Sequence, residues 1–484
     1  MDVWVDDHHQ SQDTGWDLGQ AASQRTGVLR IKEDKAAADR LGSTTAPRDS
    51  LQAESQGLHP SSESRNSTEA EDLPEDFDWQ AYLAYYPDLV SSGISSESGA
   101  QQHYLAHGRQ EGRVHRRLKV LMHYTACTGL INQHYSHIAA FTLSSAIGAE
   151  LVLAPGLQRD SFASYFSAHN EQNEVTWTSM STDQLLDVDR IIEEWRARGM
   201  DVHKTPPLPS LPNMGDPDTA YPQYQQSPEE ERLNVRLSDI YLKAWDLPEL
   251  VERTRKAVVE HAARMELEQT DAPIDHINLY LPCTFFMLRS ISDLPRATMV
   301  ARTLFFAPLL TGLADEIVAG MTAAGAAPFN SLHLRIEKDA KDWSTIMGGT
   351  GVLWEGYAAA MQEAGFDNQA PLYTASGLLT YGAAQDMVDA ESTLTALGFC
   401  SSVHTKEMYL PSKVLDGLAS EQKALVDFLV LARGARYVGF GSSTFSFFLR
   451  EHRTLQGLPR SSSVLVDASV IGTDALFQAA ATIV

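Results

Sequence analysis

Ser331-Leu332-His333-Leu334-Arg335 is a short apolar run that ends on a cation, and Glu337, Lys338 and Asp339 follow it. A run of that length between polar stretches reads as a buried strand, with the arginine at its exit. The chain beyond it alternates. A helix is expected over about 351–365, then the strand Pro371-Leu372-Tyr373-Thr374-Ala375 running into Ser376-Gly377, then a helix at 382–396. Glu421 to Arg433 is amphipathic, with Ala424, Leu425, Phe428, Leu429 and Leu431 apolar. Ala435 to Phe440 is another strand, broken by Gly441-Ser442-Ser443-Thr444 before a helix starting at Phe445. Strands alternating with helices predict a doubly wound parallel sheet.

The same alternation precedes Ser331. Leu118 to Tyr124 reads as a strand, Thr125 to Asn132 as a loop, Gln133 to about Ile147 as an apolar helix, and Glu150 to Ala154 as a second strand ending at Pro155. Residues 156–230, with the proline-rich run Pro206 to Pro212, read as a long irregular insertion on the acceptor side. Helices around 246–265, a strand at Ile277 to Leu281, and a helix bearing Leu304, Phe305, Leu309, Leu310, Leu313 and Ile317 complete this half. The expected architecture is therefore α/β, with two facing Rossmann-like domains, 118–325 and 326–484, and a cleft at the carboxyl ends of their strands. Residues 1–75 are polar and aperiodic, as a disordered tail is. Residues 76–115 read as a small helical module whose aromatics, Phe77 to Tyr86, recur at helical spacing as a core.

Composition narrows the function. The 484 residues carry a formal charge of -25 and 43% hydrophobic residues, which suits a soluble enzyme of two or three domains. So acidic a chain argues against sequence-independent nucleic-acid binding, although a pocket can still be locally basic. Cys127, Cys283 and Cys400 are too widely spaced for a zinc cluster, and they allow one disulfide or three buried thiols. No apolar run is long enough to span a bilayer, and the first residues do not read as a secretory signal. Asn66-Ser67-Thr68 has the form of a glycosylation sequon, expected here to be a chance match.

Several residues have chemistry suited to a sugar nucleotide. Arg335 can grip phosphate oxygens in two places at once, or it can pair structurally with Glu337 or Asp339. Gly441 to Phe445 is a strand-to-helix turn with hydroxyls and exposed N–H groups where an anion docks, although Ser443 or Thr444 can equally cap the helix. Asp427, among Leu425, Val426, Phe428 and Leu429, can accept from the N–H donors of guanine. Asn132 and Gln133 sit where a loop enters a helix and can reach a sugar hydroxyl or cap that helix.

Taken together, these stretches resemble the GDP-fucose protein O-fucosyltransferase superfamily, including its plant branch. His333-Leu334-Arg335-Ile336-Glu337-Lys338-Asp339 is similar to that family's His-Leu-Arg-x-Glu-Lys-Asp block. The Asn132-Gln133 loop resembles its entry segment, Tyr373 to Gly377 a later strand, and Asp427 through Thr444-Phe445 to Gly457 its donor block. The resemblance covers roughly Leu118 to Leu458. It implies a GT-B-like fold, GDP-fucose as donor, inversion at the anomeric carbon and no metal cofactor. It implies Arg335 on the β-phosphate and His333 and Asp427 on the GDP. Ser443, Thr444 and Phe445 would surround phosphate and base, Asn132 would lie near the fucose, and Asp339 would support the site. Glu337 is the candidate base by position. The acceptor would be a protein Ser/Thr or a glycan, and relatives generally work in the ER or Golgi. The sequence departs from the pattern where animal enzymes carry an arginine three residues before the asparagine: Gly129 stands there, and Ile131 replaces a second glycine. Two other readings stay open. One is a metal-dependent transferase using Asp216-Pro217-Asp218 or Asp187-Val188-Asp189; the other is a non-catalytic GDP-sugar binder on the same fold.

Overall fold

The structure is a computed structural model. It describes residues 72–126, 129–159, 177–205, 233–237, 245–267, 276–284, 293–336, 350–379, 383–441 and 443–466. Nearly all of the expected tail, the proline-rich run, Asp216, Asp218, Glu337 and Asp339 lie outside these residues. The elements below belong to one compact unit that begins at Leu73.

The amino-terminal module has three short helices, α1 (Trp79–Tyr85), α2 (Pro87–Ser91) and α3 (Glu97–His103). Asp78 caps α1 by accepting the Ala81 N–H at 2.9 Å, and Pro87 opens α2 at a position that needs no N–H. Tyr82, Leu83, Leu89, Ala100 and Tyr104 close into a small core with Phe77 against it. The aromatic stripe is core, as its spacing predicts.

Two parallel sheets follow. The chain runs β1 (Val120–Thr125), α4 (Leu130–Ile147), β2 (Glu150–Val152), β3 (Gly156–Arg159), β4 (Trp177–Met180), α5 (Val188–Arg196), β5 (Val202–His203), β6 (Asn234–Arg236), α6 (Leu247–Leu267) and β7 (Ile277–Cys283). The first sheet has the order β5-β2-β1-β7-β6. All seven residues of β7 are buried, as in a parallel strand covered on both faces. Residues 156–230 do not form the wholly irregular insertion expected. β3 and β4 pair as an antiparallel ribbon, α5 follows, and β5 completes an edge of the sheet. A two-residue edge strand is too short to leave a periodic trace in the sequence.

After α7 (Leu294–Thr303) and α8 (Pro308–Ala323) the second sheet begins. Its elements are β8 (Asn330–His333), α9 (Thr350–Glu363), β9 (Leu372–Ala375), α10 (Ala384–Ala396), β10 (Val403–His404), α11 (Ser412–Asp416), α12 (Ser420–Leu431), β11 (Tyr437–Phe440), α13 (Thr444–Leu455) and β12 (Ser463–Val466). The order is β10-β9-β8-β11-β12. The chain winds outward from β8 to β10, then returns to the other side of β8 for β11 and β12. The winding reverses between β8 and β11, and α/β sheets bind ligands at such a point, beyond the strands' carboxyl ends. The strands of the first sheet all fall within 118–325 and those of the second within 326–484. Cys283 is disulfide-bonded, whereas Cys400 is free and buried. No helix among the described residues is long and apolar enough to cross a membrane.

Two polar devices hold this arrangement. Arg453 of α13 is 1% exposed. Its guanidinium donates to the carbonyls of Ala432 at 3.1 Å, Gly434 at 2.6 Å and Ala435 at 3.3 Å, and to Ser463 Oγ at 2.9 Å. These carbonyls lie just past α12, where a helix leaves acceptors without partners and its dipole is negative. One side chain thus ties α12, α13 and β12 together. Arg453→Met, which keeps the bulk but removes every donor, is expected to cost about 3 kcal/mol or more and to lower the thermal midpoint by several degrees. An unchanged midpoint would show that the carbonyls find other donors.

The second device is a histidine–aromatic joint between helices of the two halves. His134 of α4 packs 4.8 Å from Phe448 of α13 and 5.3 Å from Phe306, and Phe428 lies 5.1 Å from His452. Burial lowers His137 to about 4, and burial with the nearby Arg433 charge lowers His452 to about 4. His134 falls well below its ordinary value through burial and the neighbouring His137 and His452. All three are neutral at pH 7. Because these values lie below that of an unfolded histidine, about 6.5, the stability they support is complete above that pH. It is lost as the pH falls toward about 4, since the unfolded chain then binds protons the folded one refuses. Thermal midpoints are expected to fall across that window, and His452→Phe is expected to flatten part of the slope. A flat wild-type profile would overturn this account.

Candidate active site

The site begins where the ladder between β8 and β11 stops. The two strands are in register at Ser331↔Tyr437 and Leu332↔Val438, and Ser331 N–H donates to the Arg436 carbonyl at 2.8 Å. In a continuing parallel ladder, Phe440 N–H would donate to the His333 carbonyl and Arg335 N–H to the Phe440 carbonyl. None of these groups does so. Phe440 N–H donates to Ser446 Oγ at 2.9 Å, and the Phe440 carbonyl accepts from Ser443 N–H at 3.0 Å. Arg335 N–H donates to the Tyr357 hydroxyl at 2.8 Å, and that hydroxyl donates to the His333 carbonyl at 3.2 Å. On its other side β8 stays with β9 as far as Leu334, whose N–H donates to the Ala375 carbonyl at 2.9 Å. The strands therefore part at the switch point.

His333, Arg335 and the start of α13 come together there. His333 is 7% exposed, its Nδ1 lies 2.6 Å from Ser446 Oγ, and its ring centroid lies 4.5 Å from that of Phe445. Burial, with the Arg335 charge nearby, lowers it to about 3. It is thus a neutral imidazole at pH 7, able to donate or accept a hydrogen bond without adding charge. Arg335 is half-buried at the parting. Ser443 is buried at the N-cap of α13 and makes no side-chain cap bond, Thr444 begins the helix, and Phe445 packs between His333 and Phe428. A cation, a neutral imidazole and a helix N-terminus lie together there, and groups of these kinds favour an anion.

On the other half, Asn132 is the third residue of α4 and is half-buried. Tyr135 of α4 lies 5.3 Å from Phe448 of α13, so the crossing lies about one turn into each helix. Gly129 stands at the N-cap of α4. Gln133 serves another purpose than the sugar contact considered for this pair. It is 1% exposed, its Oε1 accepts the Leu157 N–H at 2.8 Å, and its Nε2 donates to the Leu157 carbonyl at 3.0 Å. The amide acts as a backbone partner for β3.

Asp427 also differs from expectation. It is 6% exposed, and its oxygens accept from the Tyr373 hydroxyl and from Lys406 Nζ, each at 2.7 Å. Burial raises the Asp427 carboxyl against the pull of Lys406. Burial opposes the charge on Lys406, yet Asp427 and Glu407 raise it above its ordinary value. The carboxylate thus belongs to a buried ion pair that joins α12 to the turn at Lys406, rather than presenting an open acceptor to a base. Of the Asp-Val-Asp stretch, Asp187 caps α5, accepting from Arg190 N–H at 3.4 Å, and the exposed Asp189 pairs with Lys204 at 2.8 Å. Among the described residues, no cluster of three or more His, Cys, Asp or Glu could hold a metal ion. Ser446 and Tyr357 went unnoticed in the sequence. Ser446 lies two residues beyond Thr444 on the same first turn and could have been found there, whereas nothing local links Tyr357 to Arg335.

Lys406→Met is expected to destabilise the protein by about 3–5 kcal/mol, because it strands a buried carboxylate. Lys406→Met with Asp427→Leu is expected to recover much of that loss. Equal melting of the single and double variants would overturn the ion-pair reading.

No curated protein matches the chain. Among solved structures, POFUT1 in complex with GDP-fucose aligns at 12% identity and a TM-score of 0.40, over 72% of this chain and 97% of that one. The fucosyltransferase NodZ from Bradyrhizobium aligns at 14% identity and a TM-score of 0.34, over 69% and 93%. The family model of the GDP-fucose protein O-fucosyltransferases matches residues 121–456, which span β1, β8 with Arg335, and α13, and the chain belongs to that family.

Proposed function

We propose that this protein is an inverting glycosyltransferase that moves fucose from GDP-fucose to a hydroxyl of a protein or glycan without a metal cofactor, on two facing Rossmann-like domains in a GT-B-like arrangement. The observation that carries this reading is the parting of β8 and β11. Arg335, neutral His333 and the start of α13 lie at that parting, the kind of switch point at which α/β sheets bind ligands. In the reaction the acceptor oxygen attacks C1 from the face opposite the diphosphate. The bond from C1 to the β-phosphate oxygen breaks, and GDP leaves with the bonding pair. Arg335 neutralises the charge that grows on that oxygen. Ser443 and Thr444 lie by the phosphates, Phe445 by the base, and Asn132 by the fucose. Asp339 supports the site, and the acceptor proton goes to Glu337 or to water.

Gly129 in place of an arginine favours a second reading, a protein that binds GDP-fucose without turning it over. One comparison separates the two. GDP binding by calorimetry and GDP-fucose hydrolysis are measured for wild type and Arg335→Ala, against other sugar nucleotides and with EDTA. Wild type is expected to prefer GDP-fucose and to ignore EDTA, and Arg335→Ala to lose about a hundredfold in turnover. Identical behaviour of the two proteins would sink the mechanism. Loss of activity with EDTA would favour a metal-dependent transferase, and binding without turnover would favour the second reading.

A further inference from the structure

Tyr357 lies on α9 and is fully buried. Its ring is set in a core cluster with Leu332, Leu334, Leu353 and Met361, so its hydroxyl has a defined position. That hydroxyl accepts the Arg335 N–H at 2.8 Å, which leaves its own proton to donate to the His333 carbonyl at 3.2 Å. Both partners are backbone groups, and they flank Leu334. The phenol therefore holds the peptide units on either side of Leu334 at the place where the β11 ladder no longer can. The direction of the Arg335 side chain follows from the orientation of the peptide that precedes it.

We propose that Tyr357 is a positioning residue for Arg335: its hydroxyl replaces the missing strand partner and fixes the angle at which the guanidinium leaves β8. The inference rests on the donor-site reading of Arg335. A hydroxyl that merely satisfies buried backbone would affect stability and nothing that passes through Arg335, and a double-mutant cycle tells these roles apart.

Wild type, Tyr357→Phe, Arg335→Ala and the double variant are compared for GDP-fucose hydrolysis, GDP affinity by calorimetry and thermal midpoint. Tyr357→Phe is expected to lower hydrolysis by about ten- to a hundredfold, the scale of a small misplacement. The double variant is expected to match Arg335→Ala within about twofold, because the hydroxyl has no guanidinium left to aim. Losses that multiply in the double variant would overturn the inference, as would a Tyr357→Phe protein that works like wild type while Arg335→Ala does not. If Arg335→Ala itself works like wild type, the donor-site reading falls and the inference falls with it. If Tyr357→Phe does not fold, fluorotyrosines at 357 keep the ring and alter only the hydrogen bonding of the phenol. Turnover is then expected to change along that series in the wild-type background and to stay level in Arg335→Ala; a level series in both would overturn the inference.

Discussion

Backbone groups withdrawn from water must find partners, and that requirement governs the site. Two parallel strands can separate inside a folded protein only if other groups take over the hydrogen bonds they give up. Here β8 and β11 separate after Leu332 and Val438, and two hydroxyls accept the released N–H groups: Ser446 receives Phe440, and Tyr357 receives Arg335. The parting at the switch point thus rests on two side chains that can stand in for strand.

The same physics recurs where the halves are built. Gln133 substitutes for a strand partner of Leu157, Arg453 for the missing donors beyond α12, and Lys406 for the counterion that Asp427 needs when buried. Each adds little as a net interaction, because water would satisfy these groups in the unfolded chain. Their effect is on geometry. Removing one partner strands the other in a medium where it has no substitute, so each contact admits one arrangement of the elements it joins. The histidines at the joint between α4 and α13 act in the same sense, since they pack as neutral aromatic rings at pH 7.

Much of the fold was legible in local pattern. The strand that leads to Arg335 and ends at His333, the helix from Ser420 to Leu431 and the turn into Thr444 all appear close to where apolar spacing and turn residues place them. The short edge strands at Val202, Asn234 and Val403 did not show, because two or three residues carry no period. Asp427 was legible as buried, since apolar neighbours surround it. Its partner was not, because Lys406 lies on another element, 21 residues away.

The sequence by itself determined the α/β order, the family and the identity of the charged residue at the strand end, because these depend on near neighbours and on residue chemistry. Only the tertiary structure decided that β11 lies beside β8, that Ser446 meets His333 across 113 residues, and that Tyr357 holds Arg335 across 22. Those pairings arise from how crossovers stack strands and helices. A crossover leaves no mark on the residues it brings together, since each of them is locally an ordinary helical serine or tyrosine.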